Sequence, residues 1–345
     1  MEFNYVEGRK GFLLKLSILD QAPISANQTA QEALVNSLKL AQAGEKLGYT
    51  RYWIAEHHNL PGLACSAPEV MLSYIGANTT KIRLGSGAVL LPHYKPYKVA
   101  EVFNLLATLF PNRIDIGIGR APGGSAEATN ALSDNFLQNV WKMPALVKEL
   151  IGFLENDFPA VHDYSGLSAS PLPETAPVPW LLGTGKKSAF LAAENGIAYA
   201  FGQFMSDQDG VEIVKQYRDT FIPRKNRHQP KVILTVSVIC AETNEKAEEL
   251  AISWLIWQLQ KEKEEQLLGV PSIEQALKYK PNKKETMHIN KMKENIIIGN
   301  PNVVKKRLQQ LQVKYQADEM MIVTITYSIE DKIHSYQLVA EELLQ

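Results

Sequence analysis

Short apolar runs alternate with amphipathic, helix-like segments along almost the whole chain. Eight runs rich in aliphatic and β-branched residues are typical of buried strands, and apolar positions at helical spacing follow nearly every one of them. The predicted strands cover residues 13–19, 52–54, 81–92, 113–118, 178–182, 197–201, 232–240 and 320–326. Because parallel strands need crossover helices between them, this alternation predicts an α/β protein with a parallel sheet.

Eight strand–helix units most simply close into a barrel. We therefore predict a TIM (β/α)8 barrel with insertions, formed by a single domain over residues 13–345. An open doubly wound sheet is the alternative, but it usually carries a glycine fingerprint after its first strand, and the loop at 20–23 has none. Residues 1–12 are expected to form an N-terminal extension. The charged, weakly periodic stretch at about 262–298 is expected to be an insertion.

Composition and charge say more about the binding partners of the protein than about its fold. Of the 345 residues, 45% are hydrophobic and 21% charged, and the formal net charge is −1. No overall field therefore favours nucleic acid or an anionic membrane. The two cysteines, Cys65 and Cys240, form no CxxC pattern, which argues against a zinc–thiolate site and a disulfide framework. The first apolar run is too short and polar for a signal or membrane segment, so we expect a cytoplasmic protein.

Two adjacent histidines, His57 and His58, follow the second predicted strand. In a TIM barrel the C-terminal ends of the strands carry the chemistry, and an imidazole can move protons or bind a metal near neutral pH. The alternative is that one histidine is a hydrogen-bonded structural residue and the other faces solvent. We expect no metal site, because neighbours on a strand point to opposite faces and no set of carboxylates accompanies them.

A glycine-rich turn after the fifth strand is the strongest candidate for phosphate binding. The turn contains Gly183, Thr184, Gly185 and Ser188. It runs directly into a helix, where free N–H groups and the helix dipole favour an anion. Arg120, after the fourth strand, would add a guanidinium. The turn is not a Walker loop, since no glycine stands five positions before Gly185; an ordinary strand-to-helix turn is the alternative.

Several of these segments together resemble the bacterial luciferase-like flavin monooxygenases. The resemblance rests on the block ending in Glu-His-His at 53–58, the strand at 84–92, the run at 113–120 and the turn at 180–185. It implies a TIM barrel that binds reduced FMN at its C-terminal face.

The resemblance also implies roles for individual residues. His57 matches a histidine that lies near the flavin and is important for catalysis, and His58 is expected to support it at the same site. Gly87 and Ala88 match a non-proline cis peptide beneath the isoalloxazine ring. The residues that match the phosphate site are Arg120, Thr184, Gly185 and Ser188.

The same resemblance predicts the reaction and the partners. A separate NAD(P)H-dependent flavin reductase would supply reduced FMN, which reacts with O2 at its C4a atom, and the resulting (hydro)peroxyflavin would oxidise a small organic substrate. A homodimer is expected. Two alternatives stay open: a deazaflavin-dependent dehydrogenase of the same superfamily, and a flavin-binding protein without turnover. The sequence assigns no substrate.

Overall fold

The chain folds around a closed barrel of parallel strands in the computed structural model, which describes residues 14–206, 208, 210–224, 229–263 and 269–344. The strands are β1 (Lys15–Asp20), β2 (Arg51–Ile54), β3 (Arg83–Ser86), β4 (Val89–Leu90), β5 (Ile114–Gly119), β6 (Val178–Gly183), β7 (Ala198–Gly202), β8 (Val232–Cys240), β9 (Ile296–Gly299) and β10 (Glu319–Val323). Eight of them close in the order β1-β2-β3-β5-β6-β7-β8-β10, because β10 pairs with both β8 and β1. The predicted TIM barrel is confirmed.

Helices cover the outside of the barrel. They are α1 (Ala30–Leu47), α2 (Pro68–Ala77), α3 (Pro96–Leu109), α4 (Ala126–Leu132), α5 (Phe136–Trp141), α6 (Met143–Glu155), α7 (Lys186–Glu194), α8 (Gly210–Asp219), α9 (Asn244–Glu262), α10 (Ile273–Lys278), α11 (Lys283–Glu294), α12 (Pro301–Tyr315) and α13 (Ile329–Leu343). Local chemistry sets their ends: α1 starts at a capping box between Thr29 and Glu32 and stops at Gly48, whose φ is +84°. Across the described ranges, no helix is long and apolar enough to cross a membrane.

An ion network closes the N-terminal end of the barrel. Arg51 is buried and donates to Asp115 at 2.6 Å and to Glu319 at 2.7 Å. Its guanidinium also lies 4.9 Å from the ring centroid of Trp180, which meets Trp53 edge to face. The interior at this end is therefore filled and charge-paired, which leaves the opposite, C-terminal mouth for chemistry.

The stretch predicted as an insertion packs against α9. It contains α10, α11 and β9, and β9 continues the sheet by pairing with the second half of β8. Capping boxes at Ser272 and Asn282 start the two helices, and Ile289 and Ile296 pack on the apolar face of α9. Residues 264–268, and the N-terminal extension predicted for residues 1–12, lie outside the described residues.

Candidate active site

The two histidines after β2 have different surroundings. His58 is buried, and its Nε2 lies 2.8 Å from Glu56 Oε1. Its backbone N–H donates to Gly123 O at 2.8 Å, which fastens it to the loop after β5. His57 is half-buried, and its Nδ1 has no hydrogen-bond partner in the described part of the chain. Because Nδ1 is enclosed, Nε2 is the ring nitrogen that is left to meet a ligand.

Glu56 organises the loops around these histidines, although the sequence patterns did not indicate a role for it. Its Oε1 also accepts a hydrogen bond from the Tyr94 hydroxyl at 2.7 Å, and its Oε2 accepts one from the Leu90 N–H at 3.1 Å. The carboxylate thus ties the end of β2 to the segment after β3. His58 belongs to this buried network, and its supporting role at the site stays a prediction. The sequence signal for Glu56 was a single charged residue at the end of an apolar strand.

The environment of His57 keeps its imidazole neutral. Burial, together with the nearby charges of Lys261 and His58, lowers the pKa of His57 to about 4. At neutral pH the ring therefore offers one N–H donor and one acceptor nitrogen. Lys261 stands in the last turn of α9, far along the chain, and no motif marked it.

The segment after β3 has the backbone geometry that the family resemblance implied. The peptide bond between Gly87 and Ala88 is cis. Side chains are excluded here, since a Cβ on Gly87 would collide with Leu19 and one on Gly119 would lie 2.9 Å from the Ala88 Cβ. Gly87 and Ala88, which lie between β3 and β4, therefore pack closely against Leu19 and Gly119. Contact between this segment and a flavin ring stays a prediction.

The predicted phosphate turn begins α7 with its N–H groups available. Gly185 is the N-cap residue, and no side chain caps this helix. A Cβ on Gly185 would meet only Gln208 Oε1, at 3.8 Å, so space is open above the turn. The Ser188 hydroxyl is already used, because it donates to Gly185 O at 2.7 Å and lies 3.1 Å from the Tyr199 hydroxyl. The Ser188 hydroxyl therefore stabilises the turn through a hydrogen bond inside it. Gly183 and Thr184, which precede the N-cap, are half-buried.

Arg120 and the first turn of α7 line one groove, whereas Gly183, Thr184 and Gly185 are not among its lining residues. Arg120 is exposed after β5, and it lines a groove of about 580 Å³ together with Lys187 and Ser188. Along the rim, β3 and β5 lie between the end of β2 and the phosphate turn after β6. The predicted residues therefore occupy one arc of the barrel mouth. No group of three or more His, Cys, Asp or Glu side chains in the described ranges is arranged to hold a metal ion.

Comparison with known proteins identifies the family. Residues 14–315 match the family model described as luciferase-like monooxygenase. The chain belongs to this family. It is 44% identical to the protein YwcH of Bacillus subtilis (strain 168) over 95% of this chain and 99% of that protein. It is 38% identical to N-acetyl-S-alkylcysteine monooxygenase of the same organism, over 96% of this chain and 99% of that protein.

Solved structures agree with this assignment. Apo-MsnO8 shares 32% sequence identity and superposes with a TM-score of 0.85, covering 96% of this luciferase-like monooxygenase and 98% of its own chain. More distant structures show the fold alone. They include the oxygenating constituent of 3,6-diketocamphane monooxygenase from Pseudomonas putida in complex with FMN, at 16% identity and a TM-score of 0.69. An F420-dependent secondary alcohol dehydrogenase, at 14% identity and a TM-score of 0.65, shares the fold as well. The predicted family and enzyme class, a monooxygenase, are confirmed.

Proposed function

We propose that this luciferase-like monooxygenase uses reduced FMN and O2 to oxidise a small organic substrate, and that a separate NAD(P)H-dependent flavin reductase supplies the reduced flavin. The observation that carries the proposal is the uncapped start of α7 beside Arg120, at the same rim as His57. Exposed N–H groups, a helix dipole and a guanidinium together suit a phosphate monoester.

The residues present fit FMN. Arg120 and the first N–H groups of α7 would hold its phosphate, and the small residues Gly87 and Ala88 would support one face of the ring. Bound reduced flavin would supply the electrons for the reduction of O2. The protein would position the flavin and keep water away from it.

His57 is proposed to manage a proton at its Nε2 atom. Its imidazole is neutral at pH 7, so it can accept a proton from the reacting groups and return it later. We expect His57→Ala to leave the affinity for reduced FMN unchanged, to lower the product formed per flavin oxidised, and to release more hydrogen peroxide. Product and peroxide are measured per FMN consumed, with the exposed His162→Ala as control. Unchanged coupling in His57→Ala would remove the catalytic assignment.

The choice of cofactor is tested by mixing the protein anaerobically with reduced FMN or a reduced deazaflavin and then admitting air. N-acetyl-S-alkylcysteines serve as first probe substrates, because a relative is named for them. Binding of FMN, uptake of O2 and formation of an oxidised product support the proposal. Selective binding of the deazaflavin, with substrate oxidation that needs no O2, supports the dehydrogenase. Tight FMN binding without any product supports a flavin-binding protein.

A homodimer is proposed through α2 and α3, which pack side by side. Each helix exposes two large apolar side chains one turn apart: Val70 (64% exposed) and Tyr74 (45%) on α2, Leu105 (49%) and Leu109 (55%) on α3. An exposed apolar surface of this kind is typical of an interaction site. The cytoplasmic location stays a prediction.

A further inference from the structure

The last turns of α9 lean over the C-terminal mouth of the barrel. Trp257 is fully buried there and belongs to the same apolar cluster as Leu19 and Trp53. A Cβ on Gly62, in the loop after β2, would lie 3.1 Å from the Trp257 ring. The helix end and the loop that follows His57 are therefore in contact, and α9 forms one wall of the mouth.

Lys261 places a positive charge on this wall. Its Nζ lies 5.0 Å from the ring centroid of Trp257, within the range of a cation–π contact. The side chain is half-buried, and burial lowers the pKa of Lys261. In the ranges that the structure describes, Nζ has neither a hydrogen bond nor an ion pair, unlike the neighbouring Lys263, which bonds to Glu285. The charge of Glu262 opposes this shift, but the Glu262 carboxylate pairs with His288 at 2.6 Å. A partly desolvated cation without a direct ion pair is unfavourable, and such groups concentrate at binding sites.

His57 faces the same region. The loop that begins at His57 is closed by a hydrogen bond from the His57 N–H to Cys65 O at 2.9 Å, and Gly62 within this loop meets the Trp257 ring that also contacts Lys261. In agreement with this, the charge of Lys261 opposes protonation of His57. Since Nδ1 of His57 is enclosed, Nε2 is the ring nitrogen left for a ligand, and the Nε2–H tautomer of the neutral ring can donate a hydrogen bond there. A cation and an N–H donor beside an aromatic face are complementary to a carboxylate that is attached to an apolar body.

We propose that Lys261 and His57 form a subsite for a carboxylate group of the substrate, with Trp257 as the floor beneath Lys261. The substrate class is therefore a small organic acid with an apolar portion. This inference rests on the proposed function, because only that function makes the bound ligand a substrate. The other anion that Lys261 and His57 could bind is the ring of reduced FMN. The test distinguishes a substrate carboxylate from the flavin ring.

The test compares two probes that differ only in charge: N-acetyl-S-benzylcysteine and its carboxamide. Binding of each to the full-length protein is measured by calorimetry without flavin or O2. We expect the acid to bind about tenfold more tightly than the amide, the effect of one charge-assisted hydrogen bond. In Lys261→Met the ratio should fall to about one, and Lys261→Arg should restore part of it. Lys278→Met, which removes an exposed lysine of α10, should keep the wild-type ratio.

Three outcomes would overturn the subsite: equal binding of acid and amide, no binding of either, or a preference that survives in Lys261→Met. The affinity for reduced FMN is measured in parallel, anaerobically. If Lys261→Met weakens FMN binding and leaves the preference for the acid intact, Lys261 serves the flavin and the inference is wrong. Because calorimetry needs no turnover, a protein that prefers the acid and yet never consumes reduced FMN would refute the proposed function and leave the subsite standing.

Discussion

At the scale of single residues, the imidazole of His57 should make the protein sensitive to acid. Its pKa is about 4 in the folded chain against an ordinary 6.5, because burial and Lys261 oppose protonation. Between these values the unfolded chain binds the extra proton, so stability is lost as the pH falls through this window. In His57→Gln, the free energy of unfolding should fall less between pH 7 and pH 4, by roughly 2–3 kcal/mol. Urea titrations at both pH values measure it, with His162→Gln as control; an equal fall in both variants would contradict the assignment.

The hydrogen-bond network of the loops at the barrel mouth depends on the carboxylate of Glu56. Glu56→Ala would leave the donors of His58, Tyr94 and Leu90 without their acceptor in a buried place. We expect the free energy of unfolding to fall by roughly 2–4 kcal/mol. The exposed carboxylate of Glu274 supplies the control, and Glu274→Ala should cost less than about 0.5 kcal/mol. Chemical denaturation compares the two, and similar losses would mean that the network does not stabilise the mouth.

At the scale of one element, the start of α7 separates folding from binding. Gly185 has an extended backbone (φ −144°, ψ 169°) that any residue adopts, and a Cβ there would enter open space. Gly185→Ala should therefore change the free energy of unfolding by less than about 0.5 kcal/mol. The added methyl group would crowd the N–H groups proposed to bind phosphate, and the Kd for reduced FMN should rise about tenfold. Gly166→Ala, which also enters open space, is the control; unchanged affinity in Gly185→Ala would place the phosphate elsewhere.

Strands and helices were predictable from the sequence wherever the residues that specify them are close together in the chain. The apolar run at 232–240 coincides with β8, because every one of its residues is buried between barrel interior and helices. By contrast, β9 begins with three isoleucines, which favour a strand, but the run is short and ends a charged, weakly periodic stretch, so the pattern assigns it to the insertion. The partner of β9 is the second half of β8, on the far side of α9 in the chain. A pairing of that kind depends on tertiary contacts, which a single sequence does not display.

At the scale of the whole molecule, chain order explains which parts of the site were predictable. His57, Gly87 and Arg120 follow consecutive barrel strands, so the strand–helix alternation alone brings them to one rim. Lys261 reaches the same rim only because α9 leans across the barrel mouth, and nothing in its local sequence indicates that tilt. The cis peptide at 87–88 was predictable only from resemblance to a family, since no residue pattern specifies it.

The apolar surface of α2 and α3 gives the prediction that concerns the whole molecule. If two copies associate there, a charge at its centre would have to be desolvated without a partner, which costs several kcal/mol. Tyr74→Glu should therefore convert a dimer into a monomer and halve the mass measured by light scattering, while the fold, followed by circular dichroism, stays intact. Val313→Glu changes an apolar residue on α12 that is more exposed than Tyr74 (77% against 45%) and should leave the dimer unchanged. A monomeric wild type, or a Tyr74→Glu protein that keeps its dimeric mass, would show that these helices do not form the interface.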